Sequence, residues 1–244
     1  MDLTFNDFKE RAKNQSLSKW EKIGFPDSYR KNTEKYIFED IASKLHLKAD
    51  SVHRILDIGC GCSNLVKYFI EFSKLNTKKL LLIDSKEMLE QIQNDLSDEH
   101  PTISVLPGCF PNIEFKVDNG PGFDAIVVYS VIQYPFLEQS IYSFIHKCVD
   151  LLSPGGRLLI GDIPNLSSRN RFIESKEGAL FQDMQELASK EMNFQHVNSE
   201  RIDDAVVFSI LSRYRNYGCE TFLLPQNDRL PFANRREDIL IVKR

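Results

Sequence analysis

Apolar residues in the middle of the chain alternate between short continuous runs and stripes at helical spacing. The run 52–58 ends at a glycine, and the segment after Ser63 carries apolar residues at i, i+3, i+4 and i+7: Leu65, Tyr68, Phe69 and Phe72. Further apolar runs cover 80–83 and, more weakly, 102–106. A short run bounded by turn residues indicates a buried strand, and a periodic stripe indicates a helix. The pattern therefore predicts strands that alternate with helices.

The second half of the chain continues this alternation. A predicted strand over 123–128 precedes the strongest helical stripe of the sequence, which consists of Ile141, Phe144, Ile145, Cys148, Leu151 and Leu152. The turn 153–156 ends that helix, and another strand is predicted over 157–161. The last three elements are predicted to be one helix and two strands, over 203–217, 220–224 and 238–242.

The order of these elements predicts an α/β fold. Strands that alternate with helices form a mostly parallel sheet covered on both faces, with ligands beyond the carboxyl ends of the strands. The two closing strands have no long helix between them, which predicts an antiparallel pair at one edge. Three segments are assigned: an N-terminal helical segment over 1–48, a single domain over 49–244, and a polar insertion within it over 165–202.

Composition and charge narrow the class of protein. The 244 residues are 42% hydrophobic and 27% charged, which is typical of a soluble globular domain, and no apolar run approaches the roughly 20 residues of a membrane helix. The N-terminus mixes charged and polar residues without the apolar segment of a secretory signal, so a cytoplasmic location and no membrane partner are expected. The formal net charge of −4 argues against a nucleic-acid partner, whose binding surface would be basic.

The five cysteines indicate neither disulfides nor a metal site. Their number is odd and their spacing follows no disulfide framework, which favours reduced thiols. Cys60 and Cys62 form a C-x-C pair within a glycine turn, without a second pair of cysteines or histidines at ligand spacing. No metal is expected.

The segment ILDIGCGCSNL, residues 55–65, carries the first candidate chemistry. Asp57 lies at the end of a predicted strand, and Gly59 and Gly61 form a turn that permits positive φ and close approach of a ligand. Ser63 can cap the next helix, whose free N–H groups favour an anionic group. Asp84 ends the second strand about 20 residues further on, the distance at which an acid reaches a ribose in Rossmann units. A nucleoside ligand is indicated.

Four motifs together resemble the class I S-adenosylmethionine-dependent methyltransferases. They are ILDIGCG (55–61), LLLIDS (80–85), FDAIVVYSVIQY (123–134) and LLSPGGRLLIGD (151–162). The resemblance implies a Rossmann-like sheet of seven strands, mostly parallel with helices on both faces, and S-adenosylmethionine as cofactor.

The same resemblance implies roles for residues of the cofactor site. Asp57 would hold the methionine amino group, Gly59 and Gly61 would pack against the methionine and ribose portions, and Asp84 would accept both ribose hydroxyls. Near the adenine the family often carries an acid, where this chain reads LPGCFPN. Phe110 would border the adenine or pack in the core, and Cys109 would contribute backbone contacts. The expected cofactor set thus consists of Asp57, Gly59, Gly61, Asp84, Ser85, Cys109, Phe110 and Ser130.

The acceptor is expected over the end of the fourth strand, where Tyr129, Gln133 and Tyr134 are the candidate contacts. This segment lacks the N/D-P-P-Y/F motif that DNA and RNA amino-methyltransferases often carry. If the acceptor is a hydroxyl, Asp162 and His196 are the candidate general bases. Asp162 could instead cap the turn before Pro164, and His196 could be a solvated histidine.

The resulting hypothesis is methyl transfer from S-adenosylmethionine to a small-molecule acceptor, a sugar or another metabolite with a hydroxyl or amine. The alternatives are an NAD-dependent oxidoreductase on a Rossmann sheet and a silent member that binds the cofactor without transfer. Asn64 disfavours the first alternative, because the dinucleotide motif has its third glycine there. The insertion 165–202, together with Phe25 and Tyr29, is expected to cover the pocket. The acceptor and the oligomeric state stay open.

Overall fold

The computed structural model describes residues 3–96, 100–113, 122–186 and 201–244. Its centre is a seven-stranded sheet made of β1 (Arg54–Ile58), β2 (Lys79–Asp84), β3 (Ile103–Pro107), β4 (Phe123–Tyr129), β5 (Leu152–Ile163), β6 (Glu220–Pro225) and β7 (Glu237–Val242). The strand order is β3-β2-β1-β4-β5-β7-β6, and β7 runs antiparallel to both of its neighbours. The predicted fold, with its antiparallel strands at one edge, is confirmed.

Helices flank the sheet and precede it. Four lie before the first strand: α1 (Phe5–Lys13), α2 (Lys19–Lys22), α3 (Asp27–Arg30) and α4 (Glu34–Lys44). The others are α5 (Asn64–Leu75), α6 (Lys86–Glu90), α7 (Gln133–Glu138), α8 (Ile141–Asp150), α9 (Leu166–Ile173), α10 (Lys176–Glu186) and α11 (Asp204–Asn216), with a 3₁₀ turn at Gln93–Asp95. Ser63 caps α5 as expected, because its hydroxyl accepts a hydrogen bond from the Leu65 amide.

The core is divided by the sheet into two layers. Ile55 and Val127 point into the layer shared with α4 and α5, whereas Leu56 and Ile126 point into the layer shared with α8 and α11. The central strands are buried on both faces, which is why they read as continuous apolar runs rather than alternating ones. The two layers hold the carboxyl ends of β1 and β4 in fixed positions.

Two sequence expectations change in detail. The turn predicted at 153–156 lies within β5, because β5 already starts pairing with β4 at Leu152 and the Gly155 amide donates to the Lys243 carbonyl. The insertion 165–202 begins with α9 and α10, and residues 187–200 lie outside the described residues. No helix in the described ranges combines the length and apolar character needed to cross a bilayer.

Candidate functional site

A cavity opens beyond the carboxyl ends of β1 and β4, at the position where the strand order reverses. It holds about 1030 Å³ of empty space, counted out to its open mouth. In open α/β sheets this is the position where ligands bind. Its walls come from the glycine turn, from the ends of β2, β3 and β4, and from the N-terminal segment.

The glycine turn after β1 forms the floor of the cavity. Gly59 and Gly61 have φ values of 74° and 64°, which explains the residue type. The Gly59 amide donates to the Ile83 carbonyl at 2.8 Å, which joins the turn to β2. A Cβ on Gly59 would lie 2.6 Å from Cγ2 of Val131, so even a methyl group does not fit.

Asp84 at the end of β2 holds the turn in place. Its Oδ2 accepts from the Gly61 amide at 2.9 Å, and its Oδ1 accepts from the Ser85 amide at 2.6 Å. Burial raises the pKa of Asp84 to about 6, although these hydrogen bonds oppose the rise. Ser85 itself is buried outside the cavity lining, where its hydroxyl caps α6 by accepting from the Met88 amide. Each Asp84 oxygen keeps a lone pair for a ligand hydroxyl.

Asp57 at the end of β1 is the other acid in the cavity. Its side chain is buried, and within the described part of the chain it accepts no hydrogen bond and joins no ion pair. Burial, and to a smaller extent the charge of Asp84, raise the pKa of Asp57 to about 8. A cation that enters the cavity would supply the partner that this carboxylate lacks.

The loop after β3 forms another wall. Cys109 and Phe110 both line the cavity. Phe110 is also packed edge-to-face against Phe144, with ring centroids 5.1 Å apart. Phe110 therefore packs in the core, as one of its two expected roles required, and its place in the cavity lining is compatible with the other role, a border of the adenine.

Asp162 lies outside the cavity lining, in a buried ionic network. Its Oδ2 accepts from Arg236 at 2.6 Å, lies 3.4 Å from Arg30 Nη2, and accepts from the Ser130 hydroxyl. Arg30 also donates to the Ser130 hydroxyl at 2.5 Å, and both residues line the cavity. The general-base role expected for Asp162 stays a prediction, because its carboxylate lies outside the cavity lining and its Oδ2 already contacts Ser130, Arg30 and Arg236.

The candidate acceptor residues divide into two groups. Tyr129 and Tyr134 line the cavity, and burial raises the pKa of both phenols. Gln133 lies behind the wall, where its Nε2 donates to the Ser130 carbonyl at 2.8 Å and its buried Oε1 has no partner among the described residues. This placement differs from the expected direct contact. His196 lies outside the described residues.

Comparison with known proteins identifies the family. Residues 55–156 match the model of a methyltransferase domain, and this range contains the glycine turn, Asp84 and the β4 end. This range is therefore a methyltransferase domain, and the fold and motifs of the chain agree with the class I S-adenosylmethionine-dependent type. A search of curated proteins finds no match to this methyltransferase.

Solved structures share its fold at low sequence identity. The plantazolicin methyltransferase BpumL, in complex with a desmethylplantazolicin analogue and S-adenosylhomocysteine, has a TM-score of 0.59 and 17% identity over 98% of each chain. The N-methyltransferase NodS from Bradyrhizobium japonicum has a TM-score of 0.55 and 17% identity over 99% of this chain and 98% of its own. The bacterial CtHen1-C methyltransferase domain has a TM-score of 0.55 and 15% identity, covering 87% and 99%.

The N-terminal segment of the methyltransferase supplies a wall that the motifs do not contain. Its residues in the cavity lining are Phe5, Phe8, Ile23, Phe25 and Arg30. Phe8 packs edge-to-face on Tyr134 at 4.9 Å, and Ile23 lies over Gly61. Phe25 lines the cavity, whereas Tyr29 is absent from its lining and packs on Phe232, with ring centroids 5.0 Å apart. None of residues 165–181 lines this cavity.

Arg30 is the most important residue that sequence reasoning missed. Its guanidinium lies 4.1 Å from the Phe25 ring centroid and 5.5 Å from that of Tyr129. The sequence signal that could have indicated Arg30 is the segment FPDSYR, in which this arginine follows two aromatic residues within an otherwise polar region. Cys60 and Cys62 are buried free thiols, and the described residues contain no group of three metal-ligating side chains.

Proposed function

We propose that this methyltransferase transfers the methyl group of S-adenosylmethionine to a hydroxyl or amine of a small-molecule acceptor in the cavity described above. The observation that carries the proposal is Asp57, a buried carboxylate that lies beside a glycine turn and has no partner among the described residues. The methionine amino group of the cofactor is a cation of the size that this position accepts. Pairing with it would favour the charged form of Asp57 that burial otherwise disfavours.

Other residues of the cavity fit the remaining parts of the cofactor. Arg30 is a buried cation in the cavity lining and is suited to the methionine carboxylate. Asp84 would accept the ribose hydroxyls, and the apolar walls of Phe110 and Met88 suit a purine ring. BpumL and NodS, which share the fold, were crystallised with S-adenosylhomocysteine, which supports the same cofactor class here.

Bound S-adenosylmethionine would supply a methyl group already activated by its sulfonium. The protein then has to orient the acceptor and exclude water. Phe5, Phe8 and Phe25 close the cavity on the N-terminal side, and Tyr129 and Tyr134 provide polar contacts at its β4 end. The raised pKa of both phenols keeps them protonated at neutral pH, so they act as hydrogen-bond donors rather than bases. We therefore propose them as acceptor-orienting residues.

Each segment of the chain also has a proposed role. We propose that residues 1–48 act as the cover of a methyltransferase domain over 49–244, with 165–202 as a cap segment on the acceptor side.

Thermal unfolding with added ligands tests the proposal. A ligand at 100 times its dissociation constant stabilises a protein by about 2.7 kcal/mol, so S-adenosylmethionine and S-adenosylhomocysteine should both raise Tm. NAD is the matched control and should not. An acceptor screen that detects S-adenosylhomocysteine release then tests transfer. Stabilisation by NAD alone would overturn the proposal, and cofactor binding without transfer to any hydroxyl or amine would support the silent alternative.

A further inference from the structure

Two guanidinium groups contact one carboxylate, Asp162, beside the β4 end of the cavity, and a third guanidinium, that of Arg235, lies next to one of them. Arg236 and Arg30 both interact with Asp162, at 2.6 and 3.4 Å. Arg235 donates only to the side-chain oxygen of Asn234, at 3.2 Å, and has no carboxylate partner within the described part of the chain. Arg235 therefore adds a positive charge that no carboxylate of the described residues pairs with, although the chain as a whole carries a formal charge of −4.

Aromatic rings hold Arg235 and Arg236 in place. Both guanidiniums lie over the ring of Phe232, at 4.8 and 4.5 Å from its centroid. Arg235 also lies 5.0 Å from Phe172 and 4.9 Å from Phe181, on α9 and α10. Such contacts orient a guanidinium and stabilise it modestly, but they do not neutralise its charge.

The Arg236 end of the cluster adjoins the cavity. The Arg236 guanidinium lies 5.9 Å from the ring of Phe25, which lines the cavity, and Asp162 connects it to Ser130 and Arg30. The side chain of Arg236 is 19% exposed, and Arg235 is half-buried, so both remain accessible.

The charge of Arg235 is incompletely compensated. Burial lowers the pKa of its guanidinium, and the nearby charges of Arg236 and Arg169 act in the same direction, against a smaller opposing effect of Tyr29. Clustered positive charge of this kind is costly unless an anion joins it. The planar guanidinium fork matches the oxygens of a carboxylate or phosphate.

We infer that Arg235 and Arg236 form an oxyanion subsite that binds a carboxylate or phosphate group of the methyl acceptor. The inference rests on the proposed function and specifies its substrate class as an acidic small molecule. The rings of Phe232, Phe172 and Phe181 around the subsite favour an acceptor whose anionic group is attached to a flat or apolar body.

Calorimetric titration of the full chain saturated with S-adenosylhomocysteine tests the subsite. The probes are benzoate, inorganic phosphate and benzamide, which is the neutral counterpart of benzoate. Benzoate or phosphate should bind, and the stronger of the two identifies the anion class. Arg235→Gln should weaken that binding about tenfold or more, the scale of losing a charge-assisted hydrogen bond. Arg229→Gln is the matched control, because this exposed arginine lies over Tyr36, and it should bind like the parent.

The titration has outcomes that overturn the inference. Absence of binding by both anions, equal binding of benzamide and benzoate, or unchanged anion binding by Arg235→Gln would each refute the subsite. If Arg235→Gln does not fold, Arg235→Lys replaces it, which keeps the charge but loses the fork and should still bind the anion more weakly than the parent. The affinity for S-adenosylhomocysteine in the same experiment reports on the proposed function separately.

Discussion

At the scale of single residues, Asp57 and Asp84 are the two acidic side chains at the strand ends that line the cavity. The strand ends that place them are buried, and both carboxyls have a raised pKa for that reason. They differ in their partners, because Asp84 accepts two backbone hydrogen bonds and Asp57 accepts none among the described residues. Asp84 thus both holds the shape of the turn and keeps one lone pair on each oxygen for a ligand, whereas both oxygens of Asp57 are available to a ligand.

Asp57→Asn should change how stability depends on pH. The folded-state pKa of about 8 lies above the ordinary value of 3.8, so between these values the native state binds a proton that the unfolded state has lost. This acid therefore destabilises the ligand-free protein progressively as pH rises through that window. At about pH 9 the variant should be more stable than the parent by more than about 1 kcal/mol, and near pH 4 the two should be close. Urea unfolding at both pH values measures this, and an equal difference at both would contradict the assignment.

Asp84→Ala should weaken S-adenosylmethionine binding by about 1.5 to 3 kcal/mol, the scale of hydrogen bonds to a charged group. The variant should stay folded, although the Gly61 and Ser85 amides lose their acceptor. Asp150→Ala, on the exposed end of α8, is the matched control and should bind like the parent. Calorimetry measures both variants, and unchanged affinity in Asp84→Ala would mean that Asp84 does not touch the ribose.

Gly59→Val should abolish cofactor binding. Gly59 has φ 74°, and a Cβ there would lie 2.6 Å from Val131. Gly155→Val provides the control, because Gly155 has φ 78° and no atom within 4 Å of its Cβ position. A valine at either position is destabilised by the positive φ, but only the valine at position 59 also clashes with a neighbouring side chain at the cavity floor. Retained affinity in a folded Gly59→Val would remove the turn from the site.

At the scale of elements, the sequence predicted the central strands well, for a physical reason. Strands buried on both faces need continuous apolar runs, so 80–83 and 123–128 predicted the positions of β2 and β4 to within one residue at each end. The start of β5 was not predictable in this way. The turn residues at 153–156 indicate a break, and only the pairing of Phe123 with Leu152 extends the strand through them.

The site was only partly predictable for a related reason. Residues at strand ends, such as Asp57 and Asp84, follow from the local pattern because the sheet itself carries them to the cavity. Arg30 meets Asp162 across 132 positions of sequence, and no local pattern encodes that contact. The same contact is why Asp162 looked like an available acid in the sequence and is an occupied one in the fold.

Replacement of residues 168–200 by a short glycine-serine linker tests the cap at the scale of elements. The described part of this segment contributes no residue to the cavity lining, so cofactor affinity should stay within a few-fold. Phe172 and Phe181, which flank Arg235, would be lost, and turnover or acceptor choice should change. A folded variant that methylates the native acceptor at the parental rate would contradict the role of the cap.

At the scale of the whole molecule, three separate parts of the chain meet around one cavity. The motifs within 55–156 supply the floor, the N-terminal segment supplies an aromatic wall, and Arg236, which directly precedes β7, lies beside the cavity at 5.9 Å from the Phe25 ring. The ionic network of Arg30, Asp162 and Arg236 joins the last two to the sheet. Residues 55–156 alone would lack the aromatic wall of the N-terminal segment, Arg30 and Arg236.

Calorimetric titration with S-adenosylmethionine at about pH 7, in two buffers of different ionisation enthalpy, tests the central claim most directly. At that pH the ligand-free Asp57 is mostly protonated, since its pKa is about 8. Pairing with the cofactor's ammonium group requires the charged form, so binding should be one-to-one and should release a proton to the buffer. The released proton should disappear in Asp57→Asn. Absence of binding, or binding by the parent protein without proton release, would contradict the account.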